Sequence, residues 1–90
     1  MNYTDPRSVR TPKKRITGNI DVLHDTGEWG WSLCRIIWDG KQSLGIRWNG
    51  SFSENNMGNP QSRGNATWFI LPDEITDLLL RDGSLIDSDD

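Results

Sequence analysis

The chain has one cysteine, one histidine and no apolar run near the ~20 residues that a membrane helix needs. Cys34 alone cannot build a disulfide framework or a cysteine-based metal site, and a reducing compartment is the natural setting. A free cysteine in an apolar run reads as a small buried strand residue. His24 stands between Asp21 and Asp25 without a His-x-His or His-Glu-x-x-His spacing, so it reads as a strand-end histidine rather than a base or metal ligand. The opening MNYTDPRSVRTPKKR lacks the apolar core of a signal peptide. Gly58–Gly64 contains Pro60 and leads into a strand, which is not the context of a phosphate-binding loop. Ser51 and Ser62 have no base at recognisable spacing. The expectation is a soluble, cytoplasmic protein that is not an enzyme and carries no cofactor or metal.

Tryptophan, in contrast, is plentiful: five in 90 residues, with hydrophobic residues at only 33% of the chain. Each indole buries a large area but wants a partner for its N–H, so tryptophan serves both cores and interfaces. A chain this short has a modest core, and dimerisation would add burial. The net charge of −3 is unevenly spread. Residues 1–18 carry Arg7, Arg10, Lys13, Lys14 and Arg15 against Asp5, residues 19–71 are near neutral, and residues 72–90 carry Arg81 against seven acids. That split points to a basic arm for nucleic acid and an acidic tail, or to two solvated ends.

Residues 1–15 are polar, contain Pro6 and Pro12, and read as a flexible basic arm. Residues 16–83 form one domain. Alternating Ile20, Val22 and His24 mark a strand over Ile16–His24. Trp31–Trp38 and Gln42–Asn49 flank Asp39-Gly40, the strongest short-range signal for a hairpin. A long loop spans 50–65, and Ala66–Leu71 is a further strand. Pro72 opens a helix with Asp73 and Glu74 in its first turn and Arg81 in its last. Ile75, Leu78 and Leu79 form its apolar stripe, Gly83 suits its C-terminal cap, and 84–90 is an acidic tail. The fold class is α+β: a four-stranded antiparallel sheet followed by one C-terminal helix, expected to be dimeric.

A two-residue turn at Asp39-Gly40 pairs Trp38 with Lys41, Ser32 with Arg47 and Trp31 with Trp48. Side chains alternate between faces, so two sets result. Trp31, Leu33, Ile37, Leu44, Ile46 and Trp48 are expected to face the core. Trp38, Lys41, Ser43, Arg47 and Ser32 are expected on the open face, and a one-residue slip would exchange the two. An aromatic ring among cations is what single-stranded nucleic acid requires, because bases stack on rings and phosphates need neutralising charge. Trp38 is the candidate stacker. Lys41, Arg47, Arg63 and the arm residues Lys13, Lys14 and Arg15 are the candidate phosphate contacts. Singly, each also has an ordinary structural explanation; the combination carries the expectation.

The run GW-x-L-x-R-x-x-W at Gly30–Trp38, IRW at Ile46–Trp48 and TWFILPDEI-x-x-LL at Thr67–Leu79 resembles the positive-cofactor-four family of transcriptional coactivators, in particular its small bacterial members. The resemblance covers roughly residues 30–80. It implies a four-stranded sheet with a C-terminal helix, a dimer through that helix, and single-stranded DNA on the sheet face. It places Arg35, Trp38, Lys41 and Arg47 near the DNA-binding strands and Arg63 in the ridge loop. Where the family has lysine-rich loop sequences, GNPQSRG offers only Arg63, and the basic residues concentrate in the arm. The expected partners are single-stranded DNA, or RNA, and a second copy of the chain. The alternative is a protein–protein interaction module, such as a phage- or plasmid-type regulator of host machinery. There the tryptophans and the 50–65 loop would make the contact, and Asp82, Asp87, Asp89 and Asp90 would meet a basic partner.

Overall fold

A computed structural model describes residues 3–82, with side chains to residue 81. After a short 3₁₀ turn at Pro6–Ser8 come β1 (Ile16–Asp25), β2 (Trp31–Trp38), β3 (Lys41–Trp48), β4 (Gln61–Ser62), β5 (Asn65–Ala66), β6 (Phe69–Ile70) and α1 (Asp73–Asp82). The main sheet has four antiparallel strands in the order β1-β2-β3-β6, and β4 and β5 pair as a small separate hairpin. The fold is α+β, with one C-terminal helix after the sheet. Gly83 and the acidic 84–90 segment lie outside the described residues.

The β2–β3 hairpin has the predicted register residue for residue, from Trp38 opposite Lys41 to Trp31 opposite Trp48. Asp39 and Gly40 both take positive φ, 53° and 81°, as a tight primed turn demands. The face assignment, however, is corrected: the main core cluster lies on the face expected to be open. The core cluster gathers Val9, Ile16, Cys34, Ile36, Met57, Ala66 and Trp68, with Ile20, Trp38 and Ile70 packed against it. Cys34 and Ile36 therefore point inward together with Ser32, Ser43 and Arg47. On the opposite face Leu33 and Leu44 are buried, but Trp48 and Ile37 are exposed and Trp31 and Ile46 are half-exposed. The reason is remote. Which face is inner depends on the chain laid across it, and here that chain comes from the N-terminal segment and from residues 57–68.

The predicted flexible arm is likewise corrected over residues 3–15. Val9 and Pro6 are buried, and the Trp68 indole N–H donates to the Val9 carbonyl at 2.9 Å. Asp5 caps the 3₁₀ turn through the Arg7 amide, Thr11 bridges to Thr67, and the Asp39 amide donates to the Arg15 carbonyl at 2.7 Å. Trp68 thus buries its ring and satisfies its N–H against this one segment, which accounts for the order of a polar stretch.

The long loop is folded tightly. Gly50 and Gly58 both take positive φ, and a Cβ at either would fall 2.2 Å from the Asn56 carbonyl oxygen or 2.1 Å from that of Trp48. Asn49 is buried. It accepts from the Ser32 hydroxyl and donates to Asp25 and to the Gly27 carbonyl, tying the β1–β2 connection to the end of β3. Glu28 accepts from the Ser51 and Ser53 hydroxyls, which hold its carboxyl below the ordinary value. At the sheet edge, a Cβ on Gly45 would lie 3.0 Å from the Trp68 Cβ, so only glycine lets β6 close on β3 without displacement. Helix α1 contacts β3 and is joined to it by the Lys41–Asp73 ion pair. Its buried residue is Thr76. Ile75 and Leu78 of the expected inward stripe are instead 43% and 58% exposed, while Leu79 is half-buried.

Candidate nucleic-acid interface

The period-2 alternation that sends Cys34 and Ile36 inward sends Trp31, Ile46 and Trp48 outward. Ile46 pairs with Phe69 of β6, so the Phe69 ring joins the same outer face. Asn59 is hydrogen-bonded by both backbone groups to Trp48, at 2.7 and 3.1 Å, which sets Asn59 and Pro60 alongside β3. Trp31, Ile46, Trp48, Phe69, Asn59 and Pro60, with Arg47, line a cleft of about 450 Å³. Trp48 is 61% exposed and Phe69 58%. These rings are large apolar groups left open on a small domain.

A second depression, of about 360 Å³, is lined by Trp38, Pro60, Thr67, Trp68, Phe69 and Ile70. Pro60 and Phe69 belong to both, so the two depressions adjoin, the first on the outer face and the second lined by Trp38 from the inner face. At the Trp38 end the Arg15 guanidinium lies over the indole, 5.9 Å from its centroid, and pairs with Asp39. Lys13 and Lys14, next along the chain, are exposed in the turn closed by the Arg15 amide on the Pro12 carbonyl.

The predicted site residues separate. Trp38 is half-buried against the core and keeps a face on the second depression. Arg15 meets Trp38, with Lys13 and Lys14 adjoining in the chain. Arg63 is exposed at the tip of the β4–β5 hairpin, in a left-handed conformation with φ of 53°. Arg35 is half-buried on the outer face and paired with Asp21 at 2.9 Å. Lys41 is paired with Asp73, which raises its pKa by hydrogen bonding to the charged form.

Arg47 differs most from expectation. It is 3% exposed, and its guanidinium donates to the carbonyls of Met57, Pro60 and Thr67. Burial pulls its pKa down, and its Nε–H has no acceptor among the described residues. An arginine so enclosed organises the loop rather than meeting a phosphate. The inward direction follows from its pairing with Ser32 on the core face.

Trp31, Trp48, Phe69, Pro60 and Asn59 were not among the predicted nucleic-acid contacts, although all but Phe69 belong to the tryptophans and the 50–65 loop that the alternative reading made the contact surface. The signal for them was the two apolar sets of the hairpin, of which one helix and one short N-terminal segment cannot cover both. Near this face His24 packs on Trp31 with ring centroids 4.9 Å apart. Among the described residues no three His, Cys, Asp or Glu side chains gather as metal ligands. Burial pushes the Cys34 thiol up to about 12, so it is not a nucleophile at neutral pH. Comparison of the chain with protein-family models, curated proteins and solved structures finds no match.

Proposed function

We propose that the chain binds single-stranded nucleic acid across its two adjoining aromatic depressions, from the outer-face cleft to the depression that Trp38 lines from the inner face, and serves transcription or DNA metabolism without catalysis. The observation that supports this most is the continuity of the two depressions, which share Pro60 and Phe69 and carry a stacked arginine at one end. Successive bases stack on Trp31, Trp48, Phe69 and Trp38, each contact contributing about 1–3 kcal/mol. Phosphates meet Lys13, Lys14, Arg15 and Arg63, with Arg15 shared between strand and Asp39. Arg47 is left out of the phosphate set because it is buried, and Lys41 because it is paired with Asp73 and lacks the contact with Trp38 that places the equally paired Arg15 beside the aromatic surface. The reading agrees with the resemblance to the positive-cofactor-four family, including its homodimer.

The test is a titration of intrinsic tryptophan emission with an oligonucleotide at low and high salt. Quenching is expected, with a log–log salt slope no steeper than about −3, since four cations release counterions at ~0.7 each on single strands. Trp48→Ala should weaken binding on the order of tenfold or more, for the loss of one stacking ring. Absence of binding at low salt sinks the proposal.

A second reading is a protein contact. It is favoured by the lining of the larger cleft, where the one charged residue, Arg47, is already engaged by three carbonyls. Emission unaffected by nucleic acid, together with a specific co-purifying protein whose capture is lost in Trp48→Ala, decides for that reading.

A further inference from the structure

Resting on the nucleic-acid reading, we infer that Trp29 is a further stacking residue, which carries the strand one base beyond the Trp31–Trp48 end of the cleft. Among the described residues four other than glycine have positive φ: Trp29 at 60°, and Asp39, Asn55 and Arg63 at 53°. Asp and Asn accept that conformation, because their short polar side chains bond locally. Arg63 is already among the phosphate contacts. Trp29 has no such reason, and a bulky residue is strained there. Strain held at such a position points to function. The Trp29 indole is 60% exposed and lines neither depression. Among the described residues no hydrogen bond or ring contact engages its side chain.

The backbone beneath the ring is fixed. Trp31 and Trp48 face each other at the open end of the hairpin. Beyond them the Asn49 amide donates to the Gly30 carbonyl at 2.8 Å and the Trp29 amide to the Gly50 carbonyl at 2.6 Å, so the two chains stay joined past the strands. The Gly30 amide closes the turn on the Gly27 carbonyl at 2.9 Å. Trp29 therefore stands two residues from Trp31, and its partner Gly50 two residues from Trp48. An exposed ring on an ordered backbone has little freedom left to lose when a base stacks on it. The neighbouring side chain narrows the contact further. The Glu28 carboxylate, held by the Ser51 and Ser53 hydroxyls, repels phosphate. Trp29 thus takes an uncharged base face, of any base, and the phosphates are met toward Arg15, at the Trp38 end.

The test titrates two labelled oligomers, a dT tetranucleotide and a dT strand of about twelve nucleotides, with wild type, Trp29→Asn and Trp29→Phe. The tetranucleotide matches the four rings already assigned, so the three proteins should bind it alike. On the longer strand Trp29→Asn should bind more weakly on the order of tenfold, and Trp29→Phe, which keeps a ring, close to wild type. The salt slope should stay the same, since no cation is lost. Trp29→Asn should melt no lower than wild type, because asparagine accepts the left-handed conformation. Equal binding of the longer strand by Trp29→Asn and wild type overturns the assignment. So does an equal loss on both oligomers, a loss that Trp29→Phe shares, or a Trp29→Asn protein that melts below wild type, each of which makes the ring a support of the fold. All of these leave the nucleic-acid reading in place. Binding of neither oligomer by wild type at low salt overturns both.

Discussion

Arg47 and Trp48 are neighbours with opposite fates, and their contrast is set by parity alone. Arg47 lies on the inner face, where three carbonyls accept from it. Replacing it with methionine leaves those carbonyls without their donor and should cost about 3–5 kcal/mol, because three hydrogen bonds at ~1.5–3 kcal/mol each are lost while the desolvation of a buried charge is relieved. Urea denaturation measures it. An Arg47→Met protein as stable as wild type would mean that the guanidinium is no clip. Glu28 supplies the pH dependence. Hydrogen bonds from Ser51 and Ser53 depress its folded pKa below the unfolded 4.5, so the stabilisation is full above that value and is lost as pH falls through the lower folded one. Glu28→Gln should therefore melt lower than wild type at pH 7, and the gap should close in acid.

Among the elements, the β2–β3 hairpin was the most legible, because Asp39-Gly40 fixes both turn and register locally. Its inner face was not, because both alternating sets contain apolar residues. Val9, Met57 and Trp68, distant in sequence, decide between them. The N-terminal segment was misjudged for the same reason: its order comes from two buried side chains and from an acceptor for the Trp68 indole, not from composition. The cleft was hidden because Asn59, Pro60 and Phe69 come from the long loop and a two-residue strand that carry no periodic signal. Positive-φ glycines of that loop give a paired test. Gly58→Ala sets a methyl 2.1 Å from the Trp48 carbonyl and should prevent stable folding, whereas Gly64→Ala meets open space and should cost only about 1 kcal/mol of backbone strain. Equal melting temperatures for the two would refute the packing of residues 48–58.

At the scale of the whole molecule, apolar surface is left exposed at the aromatic cleft, at Trp29 and Phe52, at Ile37, and on the outer stripe of α1. Ile75 and Leu78 on that stripe are the surface through which the proposed homodimer would form. Light scattering should give twice the chain mass of 10.3 kDa for wild type and the single mass for Leu78→Asp. A monomeric wild type removes the dimer from the proposal. The charge split read from the sequence remains, with its basic part folded onto the body at the Trp38 end.

The three carbonyls on Arg47 have one consequence for motion. Met57, Pro60 and Thr67 lie on successive parts of a long irregular stretch that would otherwise open piece by piece. A single guanidinium makes them one cooperative unit. The Trp48 and Asn59 amides, hydrogen-bonded to each other's residues, and the Thr67 amide on the Pro60 carbonyl should thus exchange with deuterium at a common rate. Substituting Arg47 should release all three at once.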